Sequence, residues 1–143
     1  MGGILSNIFG AGGFDGQDSP HSESATNVMS FHSSARWQLH FDSCKTSSQL
    51  MVIDFAASWC GPCKIMEPEL RKMASTYSDV QFVKIDVDEL SDVAQEFQVQ
   101  AMPTFVLVKG GKEVERVIGA RKDELLKKIE KHRAQQWQTD RLP

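Results

Sequence analysis

The chain has 143 residues, 41% of them hydrophobic, enough for one packed domain with an extension but not for a second full domain. Its formal charge of -3 is accounted for by Asp15, Asp18 and Glu23, since every Lys and Arg lies at Arg36 or later and the other 16 acidic residues balance 16 basic ones; nothing in that balance calls for a nucleic-acid partner. Three cysteines, two of them in one Cys-x-x-Cys, do not make a secreted disulfide framework and point to a reducing compartment, and no apolar run approaches the roughly 20 residues that span a bilayer.

Residues 1–27 are rich in Gly, Ser, Asn and Asp, contain no Lys or Arg, and read as a flexible extension. They lack the apolar stretch of a secretory signal and the arginines of an organellar transit peptide. Met1-Gly2-Gly3-Ile4-Leu5-Ser6 fits the N-myristoylation pattern, with Gly2 as the acceptor. The bland reading is a glycine-rich start. One acyl chain gives weak, reversible membrane attachment, with a constant of about 10⁴ M⁻¹. The segment has neither a cysteine for palmitoylation nor a polybasic patch, although Ile4, Leu5, Ile8 and Phe9 add a small apolar contact.

A domain over 28–133 opens with Val28-Met29-Ser30-Phe31 as a short strand, and Ser33 and Ser34 are candidate caps for the helix that follows. Trp37, Phe41 and Cys44 recur at helical spacing, which places Cys44 on or beside a packed face as a small core residue; an extra redox-sensitive thiol is the alternative. Leu50 to Ala57 is a hydrophobic strand apolar on both faces, hence central, and Asp54 interrupts it with a carboxylate. Burial there raises the carboxyl pKa and suits a proton shuttle, whereas an edge strand would leave Asp54 in solvent.

That strand runs into Trp59-Cys60-Gly61-Pro62-Cys63-Lys64, and beyond it Met66, Leu70, Met73 and Tyr77 repeat at helical spacing. The cysteines therefore stand where a strand hands over to a helix, where unpartnered N–H groups and the positive end of the helix dipole favour a thiolate. Pro62 is tolerated in the first turn, while Pro68 is expected to bend the helix. Val80 to Val87 predicts a third strand, from which Lys84 reaches Asp54 if the two strands are neighbours. Ser91 to Phe97 is a short helix. Ala101-Met102-Pro103 leads into a strand over Thr104 to Val108, and Gly110-Gly111 signals a tight hairpin to Val114 through Ile118, ended by Gly119. An amphipathic helix with Leu125, Leu126 and Ile129 closes the domain, residues 134–143 form a fraying tail, and Trp137 has no assigned role.

The order β-α-β-α-β-α-β-β-α implies a sheet with helices on both sides, parallel at the start and closed by an antiparallel hairpin. With Trp59-Cys60-Gly61-Pro62-Cys63, Asp54 on the preceding strand and Met102-Pro103 after it, the chain resembles the thioredoxin family. Residues 82–90, 101–105 and 117–125 are similar to its plant h-type subgroup, in particular to members with glycine-led extensions. Two positions depart from relatives: Ala56 stands where bacterial members carry Trp, and Ile4 where some extended h-type members carry an acylatable Cys.

The resemblance implies the thioredoxin fold, a mixed five-stranded sheet flanked by four helices, and a protein-disulfide reductase with no bound cofactor or metal other than the redox-active Cys60-Cys63 pair. Cys60, expected to be the more exposed, would be the nucleophile and Cys63 the resolving thiol. Asp54 would relay the Cys63 proton and Lys84 would tune it. A cis peptide before Pro103 would turn the Met102 backbone toward the cysteines. Trp59, Gly61, Pro62, Ala101, Met102, Pro103, Gly119 and Ala120 would form the substrate surface.

Expected partners are disulfide-containing proteins and, as electron donor, an NADPH-dependent thioredoxin reductase or glutathione with glutaredoxin. The protein is expected to be a cytoplasmic monomer with a membrane-associated fraction through Gly2. The competing readings are a zinc module using Cys60, Cys63, Cys44 and His40, a docking or chaperone-like protein, and a disulfide isomerase domain, against which the Gly61-Pro62 pair favours a reductant.

Overall fold

The computed structural model describes residues 27–141, with side chains to residue 133. Gly2 and the rest of 1–26 lie outside the described residues, as does the side chain of Trp137. The elements are β1 (Val28–Phe31), α1 (Ser34–Ser43), β2 (Met51–Ala56), α2 (Gly61–Thr76), β3 (Gln81–Asp86), α3 (Ser91–Glu96), β4 (Thr104–Lys109), β5 (Lys112–Ile118) and α4 (Lys122–Arg141). Their order is the one expected.

Strand order in the sheet is β1-β3-β2-β4-β5. β3 pairs in parallel with both β1 and β2, while β4 runs antiparallel to β2 and to β5. β2 is thus the central strand and is buried along its whole length. Its Val, Ile and Phe side chains alternate between two apolar layers. On one face Val52, Phe82, Phe105 and Leu107 meet Met66, Leu70 and Met73 of α2 and Leu125 and Ile129 of α4. On the other, Ile53, Phe55, Val83, Ile85 and Val106 meet Trp37 of α1 and Val93 of α3. Trp37 is nearly inaccessible and packs its ring against Phe31, Phe41 and Phe97.

Local chemistry sets the ends of the elements. Ser33 caps α1, its hydroxyl accepting the Arg36 N–H at 3.3 Å. Gly110 and Gly111 have φ of +60° and +79°, the left-handed pair that a tight β4–β5 turn requires. Pro68 lies inside α2 without ending it, and α4 continues to Arg141.

Because β1, β3 and β2 point the same way, β2 and β3 finish at one end of the sheet. α2 begins at that end, and antiparallel β4 starts there too, with Phe55 opposite Thr104. Loops from three parts of the chain therefore converge beside the cysteines. The sheet that holds them depends on the central layer, so Leu107→Ala is expected to destabilise the protein by about 2–5 kcal/mol in urea unfolding.

Candidate active site

β2 ends at Ala56 and the chain turns through Ser58 and Trp59, so that Cys60 becomes the N-cap of α2. Its sulfur does what a Ser or Asp oxygen does at such a cap: it accepts the backbone N–H of Cys63 at 3.2 Å. Cys60 and Cys63 are joined in a disulfide, with Cα atoms 5.3 Å apart. Both are packed with Ala56 and Ala57, with Val87 and Met102 alongside.

Across from the pair, the Met102-Pro103 peptide is cis. The Met102 carbonyl lies 3.6 Å from the Cys60 sulfur. Two hydrogen bonds hold this loop: the Thr104 hydroxyl donates to the Ala101 carbonyl at 2.6 Å, and the Gly119 N–H donates to the Pro103 carbonyl at 2.8 Å. Gly119 has a φ of +99°, a conformation that favours glycine, and it brings the end of β5 against the proline. Trp59, Gly61, Pro62, Ala101 and Ala120 are exposed, Met102 and Gly119 are half-buried, and Pro103 is buried beneath them. The eight residues expected at the substrate surface are contributed by these same three loops.

Asp54 lies on the α2 side of β2, 4% exposed, and its Oδ1 has no hydrogen-bond partner. Burial pushes its carboxyl up from 3.8 to about 7; the Lys84 ammonium pulls the other way and the Glu67 carboxylate adds to the rise.

The sequence model of the thioredoxin family matches residues 31–131. The chain belongs to the thioredoxin family. It is 59% identical over 134 residues to Thioredoxin H2 of Arabidopsis thaliana, covering 94% of this chain and all of that one. It is 56% identical over 102 residues to Thioredoxin H2-1 of Oryza sativa subsp. japonica, covering 71% of this chain and 74% of the relative. The crystal structure of thioredoxin NaTrxh from Nicotiana alata superposes with a TM-score of 0.74 and 71% identity, over 74% of this chain and 92% of that one. The chain is thus a thiol-disulfide oxidoreductase of the plant h-type, acting through Cys60 and Cys63. Thioredoxins work through a redox-active disulfide without a further cofactor, on disulfide-containing targets and with a reducing system as donor.

One geometric expectation is corrected. Cys60 was expected to be more exposed than Cys63, yet each is 4% exposed in the disulfide form. Both sulfurs lie under the same apolar cover, so what distinguishes them is the cap position of Cys60 and not its access to water. Lys84 is the in-register neighbour of Asp54 and its charge acts on that carboxyl, while its ammonium donates to Glu67 Oε2 at 2.6 Å. Its flexible stem carries the charge past the buried carboxyl to a partner nearer solvent.

Glu67 and Asp88 were missed. Glu67 follows Cys63 by four residues, a spacing that puts both on one side of α2. Asp88 accepts the Trp59 indole N–H at 2.8 Å and so fixes an otherwise exposed ring, 66% accessible, beside the disulfide. Its signal was the acidic run Asp86-Val87-Asp88-Glu89, which begins at the end of β3.

The zinc reading gains no support. Cys44 lies 3.8 Å from His40 Nε2 and packs on the α1 side of the sheet, in a different layer from the Cys60-Cys63 pair. Among the described residues no group of three or more His, Cys, Asp or Glu is placed to hold a metal, and no helix is long and apolar enough to cross a membrane.

The raised Asp54 carboxyl links folding to pH. Below about pH 4 folded and unfolded chains both hold the proton and Asp54 makes no difference. As pH rises toward about 7 the unfolded chain ionises first, and stability is lost; above that the folded protein carries a buried charge. The full cost is on the order of 4 kcal/mol. Oxidised Asp54→Asn is therefore expected to be more stable than the parent at pH 8 by about 2–4 kcal/mol, with the gain closing near pH 4. Urea unfolding at the two pH values measures this, and an equal effect at both contradicts the buried-charge account.

Proposed function

We propose that Cys60 is the nucleophile and Cys63 the resolving thiol of a general protein-disulfide reductant, with Asp54 as proton acceptor. The observation that carries the assignment is the cap: Cys60 Sγ already accepts the Cys63 N–H at the start of α2. A thiolate in that place gains the N–H bond and the positive end of the helix dipole, and is favoured over a thiol.

The reaction starts from the dithiol. The Cys60 thiolate attacks a target disulfide, forming a Cys60–target disulfide and releasing one target thiolate, which takes a proton from water. Cys63 then passes its proton to the Asp54 carboxylate, and the resulting thiolate attacks the Cys60 sulfur. The Cys60-Cys63 disulfide forms, the mixed disulfide breaks, and the second target sulfur leaves and is protonated in turn. Two electrons and two protons reach the target. A carboxyl that titrates near 7 exists in both forms at neutral pH, as an acceptor and donor must.

Trp59, Gly61, Pro62, Ala101, Met102, Pro103, Gly119 and Ala120 form the surface on which the target lies, with the Met102 backbone next to the reacting sulfurs. The donor that restores the dithiol is an NADPH-dependent thioredoxin reductase or glutathione with glutaredoxin. The protein works as a cytoplasmic monomer made of a catalytic domain over 28–133, an N-terminal extension over 1–27 and a C-terminal tail over 134–143. Acylation at Gly2 gives it a weakly membrane-bound fraction.

Cys60→Ser is expected to abolish reduction of a protein disulfide such as insulin, and undiminished turnover would refute the nucleophile. Asp54→Asn is expected to slow resolution of a preformed mixed disulfide around pH 7, with the fold intact; rapid-quench rates matching the parent's would take Asp54 out of the mechanism. The intact mass of the natively expressed protein is expected to show loss of Met1 and gain of one myristoyl group, and a free Gly2 rules out the lipid.

A further inference from the structure

A proton acceptor at Asp54 has to return its proton after each turnover, although it is buried and its Oδ1 has no partner. Among the described residues, the charges that act on it are Lys84 of β3 and Glu67 of α2. Lys84 is its neighbour in the parallel β2–β3 register, so both side chains leave the same face of the sheet. From there Lys84 Nζ donates to Glu67 Oε2 at 2.6 Å. Both members of this pair reach water, with 35% and 40% of their side chains exposed.

Among the described residues no charge on the other elements acts on Asp54; Glu115 of β5 and Lys128 of α4, which reach the same face farther along the sheet, pair with each other. β4 places Phe105 opposite it, β1 places Ser30 beside Lys84, and α4 contributes Leu125 and Ile129. The remaining titratable group is the Cys63 thiol of the reduced protein, one turn before Glu67 on α2.

In this setting an ammonium beside Asp54 with no counter-charge would pull the carboxyl toward its ionised form against its burial, which makes it a weaker base. Glu67 offsets that charge. We propose that Glu67 is a positioning residue for the disulfide exchange: by anchoring the Lys84 ammonium at the solvent edge of the sheet, it keeps that charge from pulling Asp54 toward the carboxylate, so that Asp54 both takes and returns the Cys63 proton. This rests on the assignment of Asp54 as the proton acceptor. Glu67 acts through Lys84 and field alone. It exchanges no proton with the thiols and makes no bond to the target.

The test uses the full-length reduced protein, with the Asp54 carboxyl followed by carbon NMR and the resolution rate of a preformed mixed disulfide followed against pH. Glu67→Gln keeps an acceptor for Lys84 and removes the charge. It is expected to move both the Asp54 midpoint and the acid limb of the rate to lower pH by roughly half to one unit. Lys84→Gln is expected to move both to higher pH. Opposite signs at two partners of one ion pair are not produced by a loosened structure, and both side chains are accessible enough for the variants to fold.

Asp54→Asn separates the two ideas. A limb that is absent in Asp54→Asn but unmoved in Glu67→Gln overturns the role of Glu67 and leaves the acceptor standing. A limb that persists in Asp54→Asn overturns the acceptor and the proposal together.

Discussion

The carboxyl of Asp54 stands in a strand whose other five residues are all apolar, and the burial that holds the core together is the same force that opposes its ionisation. An aliphatic side chain there would cost nothing in desolvation. For the carboxyl, burial dominates the titration, the Lys84 ammonium from the neighbouring strand pulls against it and the Glu67 carboxylate from the covering helix adds to it, and neither bonds to Asp54. This arrangement leaves the group undecided between two protonation states in the neutral range.

At the end of the same strand the second electrostatic element takes over. The dipole and open N–H groups of α2 meet a sulfur, where other helices put an oxygen. Sheet topology then brings the cis Met102-Pro103 loop and the β5 terminus to the same end. A thiol pair, a buried acid and a presenting surface thus come from distant parts of the chain, and each is held by regular structure: the acid by β2, the thiols by α2, the proline loop by the starts and ends of β4 and β5.

Most of the fold was legible because its signals are local and repetitive. Apolar runs marked the strands, helical spacing of Met66, Leu70 and Met73 marked α2, and paired glycines marked the hairpin. The burial of Asp54 was legible for the same reason, since Val52, Ile53 and Phe55 fill both faces of the strand. What was not legible depends on choices made across the fold. Register makes Lys84 and Asp54 neighbours, but a four-carbon stem lets the ammonium select among several carboxylates, and it selects Glu67. Trp59 and Asp88 meet only because the ends of β2 and β3 adjoin. Equal burial of the two cysteines depends on the cover that Ala56, Ala57, Val87 and Met102 assemble from separate parts of the chain, which helix position alone does not express.

The capping role of the Cys60 sulfur has a consequence for the work of turnover. A helix start usually depends on a side chain that does nothing else, and its loss frays the first turn. Here the cap accepts its N–H while bound to another sulfur, so in the disulfide form the reacting atom and the helix cap are the same sulfur. The redox centre and the backbone that presents it are thereby one local structure, and a change at the sulfur is felt directly at the first turn of α2.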